Sequence, residues 1–447
     1  MMDIKTLSSI LRENGIVGAG GAGFPTYAKL DRRADTIILN CAECEPLLKL
    51  HQQLLQQYSQ EILNTFHIIG EAVGAREIII AVKKAYKKTI EAIHTCISDY
   101  PGMRLGLLDE IYPAGDEIVL IYEVTGKVVR PGGLPIESGI AVFNVETVYN
   151  IYRAIEHQTP NIDKIVSVAG EVEHPVTVRV PLGCRMDEAV KLAGRITTED
   201  PVYFIGGPMM GFIGSASMPV TKTTNAILVL PGDHSIVQKK NRKASIDIRR
   251  AAASCCQCTM CTDLCPRSQL GHPVNPAEFM RAATCRDLQK PGIFLNTMFC
   301  SSCGLCEMYS CMQSLSPRSL MTDYKNGLRA QGVKPPENAA VRPVEESRQY
   351  RKVPMHRLMA RLDLSRYHKP APLNNERVKM DNVKLLLSQH IGAPALSCVS
   401  KGDIVTTGQV IAKPAEGLSV AIHASIDGKV MAVTDKYVII KNQEGCI

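Results

Sequence analysis

The sequence has 447 residues, 45% apolar and 21% charged, with a net charge of +7. This is the composition of a folded globular protein too long for one hydrophobic core, and the length predicts about three domains. No apolar run approaches the roughly 20 residues of a membrane helix, and the first residues lack the apolar core of a signal peptide. We therefore expect an intracellular protein without transmembrane segments. Trp is absent and only 5% of residues are aromatic, so base stacking with nucleic acid has no support.

The first predicted domain, residues 1–160, begins with a short helix and a glycine-rich loop. Asp3 is placed to cap a helix whose apolar residues recur on one face. Four glycines then occur between residues 18 and 23, which allows backbone N–H groups to turn toward an anion without interference from side chains. Lys29 adds a positive charge after the loop. The pattern favours a phosphate site, with a plain flexible loop as the alternative.

Strands and helices alternate after this loop, as in a βαβ fold. The apolar residues 36–39 predict a buried parallel strand, and a helix is expected from residue 47 to about residue 70. Residues 77–82 predict a second strand, which a lysine-rich helix follows. The polar segment Asn40–Pro46 lies at the carboxyl end of the first strand, where such folds bind ligands.

These motifs, together with Tyr112–Glu117, Arg130–Pro135 and Asn144–Thr147, resemble the C subunit of the Rnf complex and, more distantly, the FMN-binding subunit of respiratory complex I. The resemblance implies a Rossmann-like domain whose glycine loop holds the phosphate of FMN. Carried over residue by residue, it implies FMN contacts at Gly18, Gly20, Gly21, Gly23, Lys29, Asn40, Glu43, Gly115 and Asn144. It implies NADH contacts at Phe24, Glu45 and Glu117. The sequence departs from the complex I pattern at Ala19, Ala42 and Phe143. These departures affect individual predicted flavin contacts and leave the predicted fold unchanged.

Residues 161–232 predict a small β-grasp domain. Alternating apolar residues indicate two strands, near residues 165–168 and 176–180, then a helix at about residues 187–192 and further strands. The segment ends in the motif Gly206–Gly211 and resembles the soluble-ligand-binding β-grasp module of the Rnf C family. The two methionines of this motif are typical of a hydrophobic core. The alternative hypothesis is a corrinoid-binding site in this domain.

Eight cysteines between Ser254 and Cys311 form two runs with iron–sulfur ligand spacing. In each run three cysteines are separated by two residues, and a fourth follows after three or four more. The fourth cysteine of such a run ligates the other cluster, so we predict two [4Fe-4S] clusters in a helical, ferredoxin-like domain at residues 233–320. We assign Cys255, Cys258, Cys261 and Cys311 to one cluster, and Cys300, Cys303, Cys306 and Cys265 to the other.

Zinc sites and disulfides are the alternatives for these cysteines. Zinc sites use separated cysteine pairs, and disulfides belong to oxidising compartments, so we expect neither. Cys256 is out of register with the run and is predicted not to bind a cluster. In the second run, four residues precede Cys311 and Met312 follows it where Pro is usual. The spacing alone therefore does not settle the fourth ligand of this run.

After the cysteines, residues 321–378 are rich in Arg, Pro, Asn and Glu and predict a linker with one helix near residues 355–364. Residues 379–447 return to alternating apolar residues, with a predicted hairpin turn at Asp427–Gly428. This last block resembles the barrel-sandwich hybrid domain of the Rnf C family, which is related to biotinyl and lipoyl carriers. Lys436 lacks the flanking carrier motif and is predicted to be a surface lysine.

The order of the predicted domains carries functional information. In membrane Rnf C subunits the barrel-sandwich hybrid domain precedes the glycine loop, whereas here it comes last. This order and the chain length resemble the family of cobalamin reductases of the bacterial propanediol-utilisation microcompartment. The resemblance implies cobalamin as substrate, a microcompartment within the cytoplasm as location, and an adenosyltransferase and shell proteins as partners.

The predicted parts form a multidomain α/β oxidoreductase. NADH gives up two electrons as hydride, FMN can accept hydride and release electrons singly, and each [4Fe-4S] cluster carries one electron. The leading hypothesis is an NADH-dependent cobalamin reductase that needs no catalytic acid or base of its own. The alternatives are an Rnf-type subunit that passes electrons between NADH and ferredoxin at a membrane, and a non-catalytic relay with a vestigial nucleotide site. The amphipathic first helix is either a targeting peptide or the first element of the flavin domain.

Overall fold

The computed structural model describes residues 2–442. Its first domain alternates strands and helices, as the sequence predicts. The residues of its two central strands are almost all buried, which is typical of a parallel sheet covered by helices on both faces. In chain order its elements are α1 (Ile4–Glu13), β1 (Thr36–Cys41), α2 (Leu50–Gln57), α3 (Ser59–Val73), β2 (Glu77–Lys83), α4 (Lys87–His94), β3 (Met103–Leu108), β4 (Ile111–Tyr112), α5 (Glu117–Thr125), β5 (Ile140–Asn144) and α6 (Val145–Glu156).

The order of the strands creates a ligand site at one edge of the sheet. The order is β3-β2-β1-β5, and all neighbours are parallel. The chain therefore runs outward from β1 through β2 to β3 and then returns to the other side of β1. In open α/β sheets, ligands bind outside the carboxyl ends of the strands at such a reversal. Asn40 and Asn144 lie side by side there, near the ends of β1 and β5.

Helix α1 is part of the core of this domain. The Asp3 carboxylate accepts a hydrogen bond from the Thr6 N–H at 2.7 Å and so caps the helix. Leu7 and Leu11 are fully buried. The apolar face of the predicted amphipathic helix is therefore occupied by packing within the first domain.

The single helix predicted for residues 47–70 is wrong, because the segment forms two helices, α2 and α3. Tyr58 stands between them with a non-helical backbone (φ −132°, ψ 38°). Its ring centroid lies 4.9 Å from that of Tyr149, and its hydroxyl accepts a hydrogen bond from Asn375 at 2.6 Å. The break is therefore tied to contacts with distant parts of the chain, which helix periodicity cannot reveal.

The middle domain has the predicted β-grasp character of a mixed sheet with one helix. Its sheet order is β7-β6-β10-β8-β9, with β6 and β10 parallel and the other neighbours antiparallel. The bounds of its elements are β6 (Asp163–Gly170), β7 (Val176–Pro181), α7 (Met186–Lys191), β8 (Pro201–Ile205), β9 (Phe212–Gly214) and β10 (Ala226–Pro231).

The cysteine-rich domain is built from short helices joined by the cysteine runs. Among residues 2–442, none of the helices combines the length and the apolar character needed to span a membrane. The elements are α8 (Ser235–Lys240), α9 (Ala244–Ser254), α10 (Met260–Asp263), α11 (Pro266–Gln269), α12 (Pro276–Cys285), α13 (Pro291–Leu295), a π-helical turn (Cys306–Ser310) and α14 (Pro317–Ala330).

The segment predicted to be a linker, residues 321–378, pairs with two other domains. The strand β11 (Val353–Pro354) pairs with β4 of the first domain, and the predicted helix follows as α15 (Met355–Arg361). The strand β12 (Leu373–Arg377) pairs in parallel with β7 and becomes the outer strand of the middle sheet. Strands this short, with partners so distant in sequence, leave no periodic pattern to detect.

The C-terminal domain packs two small antiparallel sheets, with the orders β13-β19-β18-β15 and β14-β16-β17. This is the predicted barrel-sandwich hybrid. Its strands are β13 (Asn382–Leu386), β14 (Leu396–Ser397), β15 (Ile404–Val405), β16 (Val410–Lys413), β17 (Ile422–His423), β18 (Gly428–Val433) and β19 (Tyr437–Lys441).

The hairpin turn predicted at Asp427–Gly428 is wrong, because these residues connect strands of two different sheets. The strand β17 pairs with β16, whereas β18 pairs with β15 and β19. A glycine is still required here, because a Cβ on Gly428 would lie 2.2 Å from the Lys441 carbonyl oxygen. The glycine therefore reflects close approach of two strands and not a turn.

A buried ion pair joins the first and middle domains. Arg153 of α6 donates two hydrogen bonds to the Asp163 carboxylate at the start of β6, at 2.6 and 2.8 Å. The Asp163 side chain is only 2% exposed. Removing one partner of a buried pair leaves an uncompensated charge, which is strongly destabilising.

We expect the Asp163→Asn variant to lose about 3 kcal/mol or more of unfolding free energy, measured by guanidinium denaturation. Asp31→Asn is the matched control, because Asp31 pairs with Arg33 at the protein surface. Its unfolding midpoint should stay close to that of the wild type. Equal shifts for the two variants would show that the Arg153 pair does not hold the domains together.

Candidate active site

A cavity of about 440 Å³ opens at the carboxyl ends of β1 and β5, within the size range of cofactor sites. The first domain supplies most of its lining, and the middle and cysteine-rich domains supply the rest. Eleven of the twelve residues predicted to contact FMN or NADH line it: Gly18, Gly20, Gly21, Phe24, Lys29, Asn40, Glu43, Glu45, Gly115, Glu117 and Asn144.

Gly23 is the predicted flavin residue that does not line this cavity. A Cβ on Gly23 would lie 2.9 Å from the Thr223 methyl carbon and 3.1 Å from the Gln389 carbonyl oxygen. Its φ of +70° also disfavours any other residue. This glycine therefore allows the loop to approach the middle and C-terminal domains.

Several polar or thiol side chains that line the cavity were not among the predicted flavin and NADH contacts. His51 and Asp116 belong to segments next to, or inside, the recognised motifs, so their proximity was a usable signal. Ser167, Asn225 and Cys303 come from other domains. No local pattern in the sequence places these three beside the glycine loop.

The glycine loop is fixed by hydrogen bonds at Ala19. The Ala19 N–H donates to the Thr147 hydroxyl at 2.9 Å, and the Ala19 carbonyl accepts from the Lys164 ammonium at 3.3 Å. Lys164 also forms a buried ion pair with Glu146. Gly21 has a φ of +78°, and a Cβ there would meet no atom within 4 Å. The loop therefore presents its backbone to open space in the cavity, as an anion site requires.

Lys29 brings a positive charge to the cavity from the other side. Its ammonium donates to the Val142 carbonyl at 2.9 Å and lies 3.6 Å from the Glu117 carboxylate. These two contacts hold the side chain beside β5 and the start of α5. One face of the ammonium group therefore remains available to a ligand phosphate.

Asn40 and Gly115 close the floor of the cavity. The Asn40 amide donates to the Gly115 carbonyl at 3.0 Å and accepts from the Ala42 N–H at 3.0 Å. A Cβ on Gly115 would lie 2.0 Å from the Ala42 carbonyl oxygen, so only glycine fits. The Cys44 sulfur accepts from the Gly115 N–H at 2.8 Å, and burial raises the pKa of this thiol to about 12.

Glu43 and His51 form a buried pair of titratable groups at the cavity. The Glu43 carboxylate accepts from the backbone N–H of His51 at 2.9 Å, but burial raises the pKa of Glu43 to about 7. Burial lowers the pKa of His51 to about 3, so the ring is neutral. Its Nε2 lies 3.0 Å from the Asn144 amide nitrogen, and its Nδ1 has no partner within residues 2–442.

Glu45 connects the cavity to the middle domain. Its two carboxylate oxygens accept from the Met209 and Met210 N–H groups, each at 2.8 Å. Both methionines belong to the motif Gly206–Gly211, and the Met210 side chain lines the cavity. The carboxylate therefore anchors this loop at the rim of the site.

The eight predicted cluster cysteines gather into two groups. A pocket is lined by Cys255, Cys258, Cys261 and Cys311, with Cys256 beside them. In the second group, burial raises the pKa of Cys306, and the thiolates of Cys300, Cys303 and Cys265 raise it further. No three or more His, Cys, Asp or Glu side chains in the described ranges are close enough to hold a single metal ion. The assignment of these cysteines to two clusters stays a prediction.

The second cysteine group borders the glycine-loop cavity. Cys303 lines that cavity, and the Tyr112 hydroxyl donates to its carbonyl. Arg267, two residues after Cys265, bonds to the Asp116 carboxylate at 2.9 Å. The first cysteine group is more exposed to solvent, since Cys258 is exposed whereas Cys306 is buried.

Four family models match successive parts of the chain. A Nuo51 FMN-binding domain matches residues 11–153, and an SLBB domain matches residues 165–213. A 4Fe-4S dicluster domain matches residues 254–316, and an RnfC barrel sandwich hybrid domain matches residues 368–447. These matches confirm the predicted fold class, and fold and site together define a flavin and iron–sulfur oxidoreductase.

The chain belongs to the cobalamin reductase PduS family. It is 41% identical to the cobalamin reductase PduS of Salmonella typhimurium over 96% of this chain and 95% of that protein. It is 39% identical to the cobalamin reductase PduS of Citrobacter freundii over 98% of this chain and 97% of that protein.

More distant relatives share parts of the architecture. The C subunit of the ion-translocating oxidoreductase complex of Vibrio cholerae is 33% identical over 60% of this chain, which is 34% of that protein. Crystal structures of an NAD⁺-reducing [NiFe]-hydrogenase superpose with TM-scores of 0.51 in the air-oxidized state and 0.50 in the H₂-reduced state. The air-oxidized structure is 19% identical over 82% of this chain and 68% of that chain. The H₂-reduced structure is 20% identical over 75% of this chain and 64% of that chain. At this identity the likeness establishes the fold alone.

The residues of the cavity fit a flavin mononucleotide. The glycine loop offers an open backbone cradle with Lys29 beside it, which suits a phosphate. The buried His51 Nδ1 and Asn225 Oδ1 have no hydrogen-bond partners in the described part of the chain. Buried polar atoms without partners are costly, and a polar ligand would satisfy them.

We expect Glu43→Gln to stabilise the flavin-free protein by up to about 3 kcal/mol at pH 8, and to have little effect near pH 5. The pKa of Glu43 is about 7 in the folded protein. A raised carboxyl pKa costs stability above that value, and the cost disappears as pH falls toward the unfolded-state pKa. Melting temperatures at the two pH values measure the effect.

The exposed Glu91 of α4 offers a control for the loss of one negative charge. Glu91→Gln should change the melting temperature little at either pH. A Glu43→Gln effect of the same size at pH 5 and pH 8 would mean that ionisation of Glu43 is not its source.

Proposed function

We propose that this protein is an NADH-dependent cobalamin reductase that uses FMN and two [4Fe-4S] clusters. One observation carries the proposal: Cys303 borders the glycine-loop cavity and also belongs to the second cysteine group. A flavin bound in the cavity would therefore lie next to a cluster bound by this cysteine group. Family membership supports cobalamin as the acceptor, since the relatives matched over nearly their whole length are cobalamin reductases.

The cofactors supply the redox chemistry when bound, because flavin exchanges hydride with NADH and single electrons with clusters that carry one each. The protein's residues bind and orient these groups. We propose that the glycine loop, Lys29 and Asn40 hold the flavin, while Phe24 and Glu117 contact NADH. Glu45 acts on NADH binding through the loop that its carboxylate anchors.

The two cysteine groups are proposed to bind an inner and an outer cluster. Cys265, Cys300, Cys303 and Cys306 hold the inner one beside the flavin cavity. The outer one is held by Cys255, Cys258, Cys261 and Cys311, where Cys258 is exposed. A corrinoid is too bulky to enter a cavity already filled by flavin and nucleotide, so we propose that it is reduced from the outer cluster.

The proposed place of the reaction is the regeneration of adenosylcobalamin in a propanediol-utilisation microcompartment. An adenosyltransferase would use the reduced corrinoid, and shell proteins would surround the enzyme. The PduS relatives support this setting. The functional units are proposed to span residues 1–160, 161–232, 233–320 and 379–447, joined by residues 321–378.

Anaerobic stopped-flow spectroscopy tests the function. The reconstituted protein is mixed with NADH and then with cob(III)alamin or cob(II)alamin. We expect flavin absorbance to bleach first, cluster absorbance next, and the corrin spectrum to change last. Reduction of flavin and clusters without any corrin change would exclude cobalamin reduction and favour an Rnf-type transfer to ferredoxin.

The outer cluster can be tested separately with Cys258→Ala. This variant should lose one cluster and nearly all cobalamin reduction, while NADH still bleaches the flavin at the wild-type rate. Cys303→Ala should instead remove the inner cluster and interrupt transfer next to the flavin. Iron content, electron paramagnetic resonance and single-turnover rates distinguish the two variants.

Cys256→Ala is the matched control for these variants, because Cys256 is an exposed cysteine next to Cys255 and outside the proposed ligand set. It should keep both clusters and full activity. Full cobalamin reduction by the Cys258→Ala protein would show that the outer cluster is not on the route.

A further inference from the structure

The glycine loop is held from two sides, and one of them belongs to the middle domain. On the side of the first domain, Thr147 at the start of α6 bonds to Ala19. On the other side, the Lys164 ammonium of β6 bonds to the Ala19 carbonyl at 3.3 Å. The Thr223 methyl carbon lies 2.9 Å from the position that a Cβ on Gly23 would take. The middle domain therefore contacts the loop near both of its ends.

Asn225 extends this contact into the cavity itself. It precedes β10 directly, and its carbonyl accepts from the Ser167 N–H at 3.0 Å, which fixes Asn225 beside the interior strand β6 at the start of β10. Both line the cavity. The Asn225 amide nitrogen lies 3.9 Å from the position that a Cβ would take on Gly20. The amide group is thus directed at the centre of the glycine loop.

The Asn225 side chain has hydrogen-bonding capacity that the described protein atoms do not use. Its Oδ1 is buried and has no partner within residues 2–442. The neighbouring Asn144 is different, because its Oδ1 caps α6 through the Glu146 and Thr147 N–H groups and its Nδ2 contacts His51. The Asn144 amide nitrogen lies closer to the same Gly20 position, at 3.2 Å, but its oxygen is already engaged. Asn225 therefore differs in offering a buried acceptor that no described protein atom uses.

We propose that the middle domain is part of the flavin site and that Asn225 hydrogen-bonds the phosphate end of FMN. An amide suits this end of the molecule, because it can donate to a phosphate oxygen and accept from a ribityl hydroxyl. The inference rests on the proposed function. It also gives the β-grasp domain a ligand-binding role, as the second wall of the phosphate cradle.

The proposal has a consequence for assembly of the site. The glycine loop and Asn225 belong to different domains, so the complete cradle exists only when the two domains are docked. Flavin binding should therefore stabilise the interface that also contains the Lys164–Glu146 pair.

Flavin affinity tests the proposal without reference to turnover. The full-length protein with reconstituted clusters is freed of flavin, and FMN or riboflavin is titrated while flavin fluorescence is followed. The variants are Asn225→Ala and the nearly isosteric Asn225→Asp. Ser215→Ala is the control within the same domain, because Ser215 is exposed and bonds to Ser217 away from the cavity.

We expect Asn225→Ala to weaken FMN binding about tenfold, the loss of one hydrogen bond to a charged group. Asn225→Asp should weaken FMN binding more than riboflavin binding, because the added carboxylate repels the phosphate that riboflavin lacks. Ser215→Ala should bind both flavins like the wild type. If Asn225→Ala lowers the melting temperature of the flavin-free protein, the comparison of FMN with riboflavin in Asn225→Asp decides.

Two results would overturn the proposal while leaving the proposed function intact: wild-type FMN affinity in Asn225→Ala, or equal losses for FMN and riboflavin in Asn225→Asp. A wild-type protein that binds no FMN would overturn both the proposal and the flavin-dependent function.

Discussion

The candidate flavin site depends on a buried ion pair between two domains. The side chains of Glu146 in α6 and Lys164 in β6 are each 2% exposed. Burial raises the pKa of Glu146 and lowers that of Lys164, and each effect is opposed by the charge of the partner. Neither group can be removed without leaving a buried charge alone. Because the same ammonium bonds to Ala19, docking of the middle domain and the conformation of the glycine loop are physically coupled.

A second set of contacts joins the cysteine-rich domain to the same cavity. On one side of the Met209–Met210 turn, the two backbone N–H groups donate to the Glu45 carboxylate. On the other side, Lys240 donates to the Met209 and Gly211 carbonyls at 3.0 and 2.8 Å, and burial lowers its pKa to about 8. One loop of the middle domain thus contacts both neighbouring domains. The position of the glycine-loop cavity relative to the second cysteine group is therefore set by three domains together, and no single motif encodes it.

Residues within local sequence motifs could be assigned to the site from the sequence, whereas contacts that form only where domains pack together could not. Asn40 and Glu43 could be placed in the site because they follow a buried strand, and parallel strands present their carboxyl ends at one edge. Cys311 of the second run lines one pocket with Cys255, Cys258 and Cys261 of the first run, an arrangement expected from two-cluster motifs that exchange the fourth ligand. Asn225 carried no signal, since its role arises only where β10 meets the glycine loop. The helix break at Tyr58 was missed for the same reason, because its partner Asn375 is distant in the chain.

The C-terminal domain packs against the beginning of the flavin domain. The Arg12 guanidinium donates to the Ala415 carbonyl at 3.0 Å, and the Arg12 carbonyl accepts from the Ala421 N–H at 3.1 Å. The buried Lys222 bridges the Gly15 and Ala421 carbonyls at 2.7 and 3.2 Å. The barrel-sandwich hybrid therefore lies against the end of α1, at the beginning of the flavin domain. Because these contacts are non-covalent, the domain keeps its place beside α1 although it is encoded at the opposite end of the described chain.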